Sequence, residues 1–146
     1  MAGVDLADFS AVYPGHFIKA DLLTWEGWRE MRPALVVASP PCEEFSRHSM
    51  PWTRAKNPPP PDMRLIARCR AIAAALAVPI VLENVRGAQG WLGRSKVNCG
   101  PFHLWDDAPA IVPVFKGRKK ESYGSKEQSR RAVVPEYLAR YVARCF

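Results

Sequence analysis

The sequence predicts an α/β fold, because strand-like and helix-like segments alternate along it. A continuous apolar run at 34–39 and a second strand-like segment at 79–85, apolar as far as Leu82, flank an amphipathic helical segment at 62–78. Uninterrupted apolar strands are typical of parallel sheets that are covered on both faces. The three segments together predict a βαβ unit, in which the residues that follow each strand lie at the same edge of the sheet.

The segment before this unit predicts a further strand and a short helix. Residues 15–23 have the pattern of a short strand that ends at Asp21. Thr24 is placed to cap a helix over residues 25–31, in which two tryptophans and a methionine would share one face.

Proline marks the other boundaries of the fold. Four consecutive prolines at 58–61 predict an extended, stiff loop after the first strand of the βαβ unit. Asp62 is expected to cap the helix that follows this loop. Residues 87–129 have a loop-rich composition, and Pro135 predicts the first turn of a closing helix.

The composition is that of one globular domain over residues 1–146, with 48% hydrophobic and 24% charged residues. No apolar run reaches the ~18 residues that a membrane span needs, and the N-terminus lacks the pattern of a signal peptide. The four cysteines form no CxxC pair, which argues against a zinc cluster and a disulfide scaffold. We therefore expect a cytoplasmic protein without a metal or a membrane partner.

The net charge of +7 indicates a basic surface. The positive charge is concentrated at Arg64, Arg68 and Arg70 and again in the segment 116–131. Such a surface suits a polyanion such as nucleic acid, but an ordinary solvated face has the same composition, and the charge alone leaves both interpretations open.

A cysteine and a glutamate follow the two strands of the predicted βαβ unit. Cys42 comes after Pro40 and Pro41, and Glu83 comes directly after the apolar run at 79–82. A thiolate can add to an electron-poor ring carbon, and a carboxylic acid can hold or protonate a ring nitrogen. The pair therefore suits covalent attack on a heteroaromatic ring.

These two segments resemble motifs of the DNA cytosine-5 methyltransferases. Residues 39–46, SPPCEEFS, are similar to the catalytic Pro-Cys motif of that family, and residues 82–87, LENVRG, are similar to its Glu-Asn-Val motif. The resemblance implies a Rossmann-like methyltransferase sheet that uses S-adenosylmethionine. It also implies that Cys42 attacks carbon 6 of a cytosine flipped out of DNA, while Glu83 contacts ring nitrogen N3 and the exocyclic amine.

The resemblance assigns the remaining candidate residues to two binding roles. Segments 3–6 and 13–22 are similar to the second and third motifs of the family, where acidic residues contact the ribose and lie near the adenine of the cofactor. Segment 130–143 is similar to its last motif. The implied cofactor contacts are Asp5, Asp21, Leu22, Pro40 and Val85, and the implied substrate contacts are Pro41, Ser46, Asn84 and Arg86.

Two features depart from the family pattern. The Gly-rich turn that would precede Asp5, with the strand that carries it, is absent from the chain, so the sheet is expected to be N-terminally truncated with its first strand missing. We expect another segment, a second copy or a complementing chain to fill the resulting slot. Residues 106–129 are too few for a separate target-recognition domain, so poor sequence specificity is expected.

Three function classes follow from these residues. The first is a DNA cytosine-5 methyltransferase that needs a complementing piece or chain, and intact Cys42 and Glu83 favour it. The second is an inactive relative that binds nucleic acid or a partner protein, and the missing Gly-rich turn favours this class. The third is a cysteine enzyme on the same scaffold that acts on a free nucleotide.

This chain by itself is expected to bind S-adenosylmethionine very weakly. Without a Gly-rich turn, the carboxylate and ammonium of the methionine end lose charge-assisted hydrogen bonds, each of which contributes about 1.5–3 kcal/mol. Two or three such losses weaken binding by a factor of about 100 to a million. Calorimetry and sedimentation of the purified chain test this, and micromolar binding by a monomer would contradict it.

Overall fold

The computed structural model of the protein describes residues 1–109 together with Arg140, Val142, Arg144 and Cys145. Within these residues the strands are β1 (Ala2–Asp5), β2 (His16–Lys19), β3 (Val36–Ala38), β4 (Ile80–Asn84), β5 (Val97–Cys99) and β6 (Phe102–Asp106). The helices are α1 (Glu43–Ser49), α2 (Pro51–Arg54), α3 (Arg64–Leu76) and α4 (Gln89–Leu92), with 3-10 turns at Gly27–Glu30 and Arg86–Ala88. In this described part of the chain, no helix is long and apolar enough to cross a membrane.

The strands form a two-stranded sheet and a four-stranded sheet. In the small sheet, β1 and β2 run parallel. The larger sheet has the order β3-β4-β6-β5, in which β3 and β4 are parallel and β6 is antiparallel to both of its neighbours. The predicted α/β class is thus confirmed, and so is the parallel βαβ unit formed by β3, α3 and β4.

Helix α3 and strand β4 fold as their apolar patterns predict. The stripe on α3 buries Ile66, Cys69 and Ile72, while on β4 the side chains of Val81 and Leu82 are almost completely buried. Since successive strand residues point to opposite faces, Leu82 lies in one hydrophobic cluster with α3, and Val81 lies in a second cluster with β5 and β6. Burial on both faces explains why this strand is apolar from Ile80 to Leu82.

The caps differ in detail from the predictions. Thr24 does not cap a helix: its hydroxyl donates to the Asp21 carbonyl, and the predicted helix at 25–31 is only a 3-10 turn over Gly27–Glu30. Asp62 lies one residue before the cap position of α3, which Met63 occupies. Its carboxylate nevertheless accepts the backbone N–H of Arg64 at 2.9 Å, which satisfies one of the amides at the start of the helix.

Two segments predicted to be loops contain regular structure. The segment after β3 forms α1 and α2 before the proline run, with Pro51 in the first turn of α2. Residues 97–106, placed in the loop-rich region, form the β5–β6 hairpin. These elements are short and stabilised by tertiary contacts, so their local sequence carries little signal.

Other predictions lie mostly outside the described residues. The closing helix from Pro135, the segment 130–143 and the basic segment 116–131 belong there. Of the closing helix, Arg140, Val142 and Arg144 are described and helical. Val142 is buried in the second cluster, against the face of the sheet that carries Val81.

Helix α1 and the 3-10 turn after β4 approach each other closely at Gly87. A Cβ atom at this position would clash with the carbonyl oxygen of Phe45 and would lie 3.1 Å from Cβ of Ser49. Phe45 is itself buried to 2% exposure, so the backbone of α1 has little room to retreat. This contact fixes the segment after Glu83 against the helix that begins beside Cys42.

Gly87→Ala should therefore destabilise the protein by about 1–3 kcal/mol, the range for overpacking of a filled contact. Gly90→Ala is the matched control, because an added Cβ there meets nothing within 4 Å. It should be neutral or stabilising by up to ~1 kcal/mol, since alanine favours helix over glycine. Urea unfolding measures both, and equal stabilities of the two variants would contradict the close approach.

Candidate active site

The ends of β3 and β4 bring the two sequence motifs together. The register pairs Ala38 with Leu82, so Ser39 lies beside Glu83 and Pro40 beside Asn84. The buried Asn84 side chain donates from Nδ2 to the Pro40 carbonyl oxygen at 3.0 Å, and its Oδ1 accepts the N–H of Val85 at 2.9 Å. One amide thus holds both loops in a fixed relation.

Cys42 occupies the position immediately before α1 and is partly buried. Its carbonyl oxygen accepts the backbone N–H of Ser46 at 2.9 Å. Burial raises the pKa of the Cys42 thiol, and the negative charge of Glu83 raises it further. A hydrogen bond from the Ser46 side chain acts in the opposite direction and only partly offsets these effects. At neutral pH the thiol is therefore mainly protonated.

Glu83 is the second-last residue of strand β4 and is also partly buried. Burial raises the pKa of its carboxyl group, and a hydrogen bond with the Ser39 side chain lowers it in part. Because the Glu83 charge opposes the Cys42 thiolate, a proton on Glu83 removes that opposition. The two groups are therefore electrostatically coupled, and the protonated acid favours the nucleophilic form of the cysteine.

The two candidate cofactor carboxylates lie at one end of the small sheet. Asp5 ends β1 and accepts the N–H of Ala7 at 2.8 Å, and Asp21 follows β2 and accepts the N–H of Leu23 at 2.9 Å. Both carboxylates are exposed. The Asp21 charge interacts with the Arg64 guanidinium at the start of α3. Asp21 therefore lies on the side of the molecule where the loop after β3 leads into this helix.

The other candidate residues have mixed environments. Leu22 and Val85 both pack against the first cluster. The Leu22 carbonyl oxygen also accepts a hydrogen bond from Nε of Arg68 at 3.1 Å, so both residues have a structural role. Pro41 and Arg86 are exposed, while Ser46 is half-buried. The hydrogen bonds that Asp5 and Asp21 accept come from their own loops and do not link them to Cys42 or Glu83, so the structure brings together the catalytic candidates but not the whole predicted set.

One residue near the site gave no signal in the sequence. His103 pairs with Asn84 across β4 and β6 and is buried, and its Nδ1 lies 2.9 Å from Oγ of Ser95. Burial lowers the pKa of His103, and the positive charge of Arg86 lowers it further. The histidine is therefore neutral at pH 7 and able to hold the Ser95 hydroxyl. Only the register of the antiparallel strands β4 and β6 places His103 beside Asn84 of the Glu-Asn-Val segment.

The predicted basic cluster on α3 is neutralised in the structure. Arg64 pairs with Asp62 at 2.7 Å, Arg68 with Glu26 at 2.6 Å, and Arg70 with Asp106 at 3.0 Å. The Arg68 pair ties α3 to the segment that follows β2, and the Arg70 pair ties it to β6, whereas the Arg64 pair is local to the start of the helix. Of the two interpretations that the charge left open, these ion pairs favour an ordinary solvated face for the arginines of α3.

Two further features of the described residues bear on ligands. A cavity of about 360 Å³ lies at the C-terminal end of α3 and includes none of the candidate residues. Its lining consists of Trp28, Arg29, Arg32, Ala75 and Leu76. Within the described ranges, no group of three or more His, Cys, Asp or Glu side chains is placed to hold a metal ion.

Comparisons of the chain with models of protein families, with curated proteins and with solved structures found no match.

Glu83→Gln should lower the pKa of Cys42, because it removes a negative charge that disfavours the thiolate. Iodoacetamide reacts with the thiolate, so the curve of alkylation rate against pH should shift to lower pH in this variant. Mass spectrometry of the Cys42 peptide separates the site from the exposed Cys145. Glu30→Gln removes an equal charge from the exposed 3-10 turn and should leave the curve unchanged. Superimposable curves for wild type and Glu83→Gln would disprove the coupling.

Proposed function

We propose that the protein is a DNA cytosine-5 methyltransferase relative in which Cys42 is the nucleophile and Glu83 the acid. The observation that carries the proposal is the electrostatic coupling of these two side chains at the adjacent ends of parallel strands β3 and β4. A thiol and a carboxyl group with a raised pKa are the groups that covalent attack on a cytosine ring requires.

The chemistry of the site follows from the protonation states of the two groups. A protonated Glu83 donates to ring nitrogen N3, which makes carbon 6 more electrophilic and lowers the pKa of Cys42 at the same moment. The Cys42 thiol then releases its proton to solvent, and the thiolate forms a bond to carbon 6 while the electrons of the carbon 5–carbon 6 double bond move to carbon 5, which becomes nucleophilic. After carbon 5 is substituted and loses its proton to a base, the carbon–sulfur bond breaks and the thiolate leaves.

The arrangement of the strands supports the finer fold assignment, a Rossmann-like methyltransferase sheet that lacks its first strand. Strands β1 and β2 form a sheet of their own, and β3 is an edge strand of the larger sheet. Val37 on β3 is 59% exposed, although its register partner Val81 is 1% exposed. An apolar edge strand beside a separate strand pair is what a sheet without one central strand would have, and a complementing chain or second copy would cover it.

The described residues fit part of S-adenosylmethionine, which when bound would supply an electrophilic methyl group. The exposed carboxylates of Asp5 and Asp21 suit the hydroxyl and amine groups of a nucleoside. Leu22, Pro40 and Val85 remain candidates for its apolar contacts. For the methionine end, the described residues offer no Gly-rich turn, which is why a complementing chain forms part of the proposal.

An inactive relative that binds nucleic acid is the second candidate. The observation that favours it is the raised pKa of Cys42, since a mainly protonated thiol is a poor nucleophile. The two candidates differ in whether any 5-methylcytosine is formed. For both, contact of DNA with the basic segment 116–131 stays a prediction.

Cys42→Ser should abolish methyl transfer to DNA, because a serine hydroxyl is a far weaker nucleophile at neutral pH. Glu83→Gln should lower the rate by about 10²–10⁴-fold, the usual contribution of a general acid. The measurement is mass-spectrometric 5-methylcytosine in DNA incubated with S-adenosylmethionine and the protein.

The matched control is Cys145→Ser, which removes an exposed cysteine and should leave the rate unchanged. Undiminished methylation by Cys42→Ser would overturn the assignment of the nucleophile. Wild-type protein that forms no 5-methylcytosine, even in a lysate of its source, would favour the inactive relative.

A further inference from the structure

A continuous basic and aromatic surface adjoins the candidate site. It consists of residues 45–57, which contain α2 and the part of α1 that follows its acidic first turn at Glu43 and Glu44, and residues 84–96, which follow Glu83. The two segments are joined where Gly87 meets Phe45 and where the His48 and Trp91 rings lie 5.2 Å apart. We call this the 45–57/84–96 surface.

The charge on this surface has one sign. Neither segment contains an aspartate or glutamate. The cations on it are exposed, and none of them forms an ion pair with a carboxylate in the part of the chain that the structure describes. They are Arg47, Arg54, Lys56, Arg86, Arg94 and Lys96. The arginines of α3, by contrast, are all paired with carboxylates, so the two regions differ in whether their positive charge is neutralised.

The surface also exposes two indole rings. Trp52 is 67% exposed and Trp91 is 42% exposed, although tryptophan side chains are usually largely buried. His48, whose Nε2 lies 2.9 Å from the Pro59 carbonyl oxygen, supports Trp91 from the side and ties the proline run to α1. The His48 contacts thus hold Trp91 and the proline run against α1.

We propose that the 45–57/84–96 surface binds single-stranded DNA, with Trp52 as a stacking platform and the flanking cations on the phosphates. Exposed aromatic rings among unpaired cations are the combination that such binding uses, because every unpaired base offers a face to stack on. Duplex DNA hides those faces, so the tryptophans favour an unpaired strand. That this DNA strand brings a cytosine to Cys42 rests on the proposed function. The binding itself needs neither a cytosine nor a methyl donor.

The test uses a fluorescently labelled oligothymidylate, which contains no cytosine and therefore cannot report on the catalytic chemistry. Fluorescence anisotropy with the full chain gives its dissociation constant. Trp52→Ala should weaken binding about 5- to 150-fold, the loss expected for one stacked base. Trp52→Phe should retain most of the affinity, because a phenyl ring still stacks. Phe9→Ala, an exposed aromatic between β1 and β2, should have no effect.

The charges are tested by the salt dependence of the same binding. Arg54→Gln and Lys56→Gln should each reduce the slope of log affinity against log salt by about 0.7 if the residue contacts a phosphate. Lys19→Gln, an exposed cation on β2, should leave the slope unchanged.

Unchanged affinity of Trp52→Ala, with the fold retained by circular dichroism, would overturn the proposal. Tighter binding to a duplex of equal length, with the same affinity for wild type and Trp52→Ala, would also overturn it. These outcomes are distinct from failure of the proposed function, because loss of methyl transfer in Cys42→Ser is measured on a separate reaction.

Discussion

The candidate site depends on one buried amide. Asn84 is 1% exposed, and its side chain links the Pro40 carbonyl oxygen to the backbone N–H of Val85. A buried amide without these partners would be left with unsatisfied polar atoms, at a cost of about 1–3 kcal/mol each. The two loops therefore stay in the geometry that satisfies it. Since Cys42 lies two residues after Pro40 and Glu83 lies directly before Asn84 in β4, their relative position follows from the same hydrogen bonds.

The electrostatics of the site oppose its resting reactivity. Burial and the Glu83 charge both keep the Cys42 thiol protonated, and burial keeps a proton more firmly on Glu83. A ligand that accepts a hydrogen bond from the protonated acid would stabilise that form and ease formation of the thiolate. Under the proposed function, the cysteine would then be reactive mainly when the site is occupied, and a protonated thiol is less prone to oxidation.

The distribution of charge separates two kinds of arginine. Those on α3 are all in ion pairs: Arg68 and Arg70 join the helix to Glu26 and Asp106, and Arg64 pairs locally with Asp62. Those around Trp52 and Trp91 face no carboxylate of their own segments. A net charge or a local count of basic residues does not distinguish these cases, because pairing depends on which acids the fold brings near. Only the tertiary structure therefore shows which arginines are paired.

The sequence by itself determined the βαβ unit and the pairing of its two motifs. The patterns that determined them extend over many residues: two strands with apolar runs, a helix with a regular apolar stripe, and motif residues at the strand ends. Only the tertiary structure decided the β5–β6 hairpin, the helices α1 and α2, the separation of the sheets and the position of His103 beside Asn84. These features depend on contacts between residues far apart in the chain. Short elements have weak local preference, so packing and register decide them, and neither is written in the local sequence pattern.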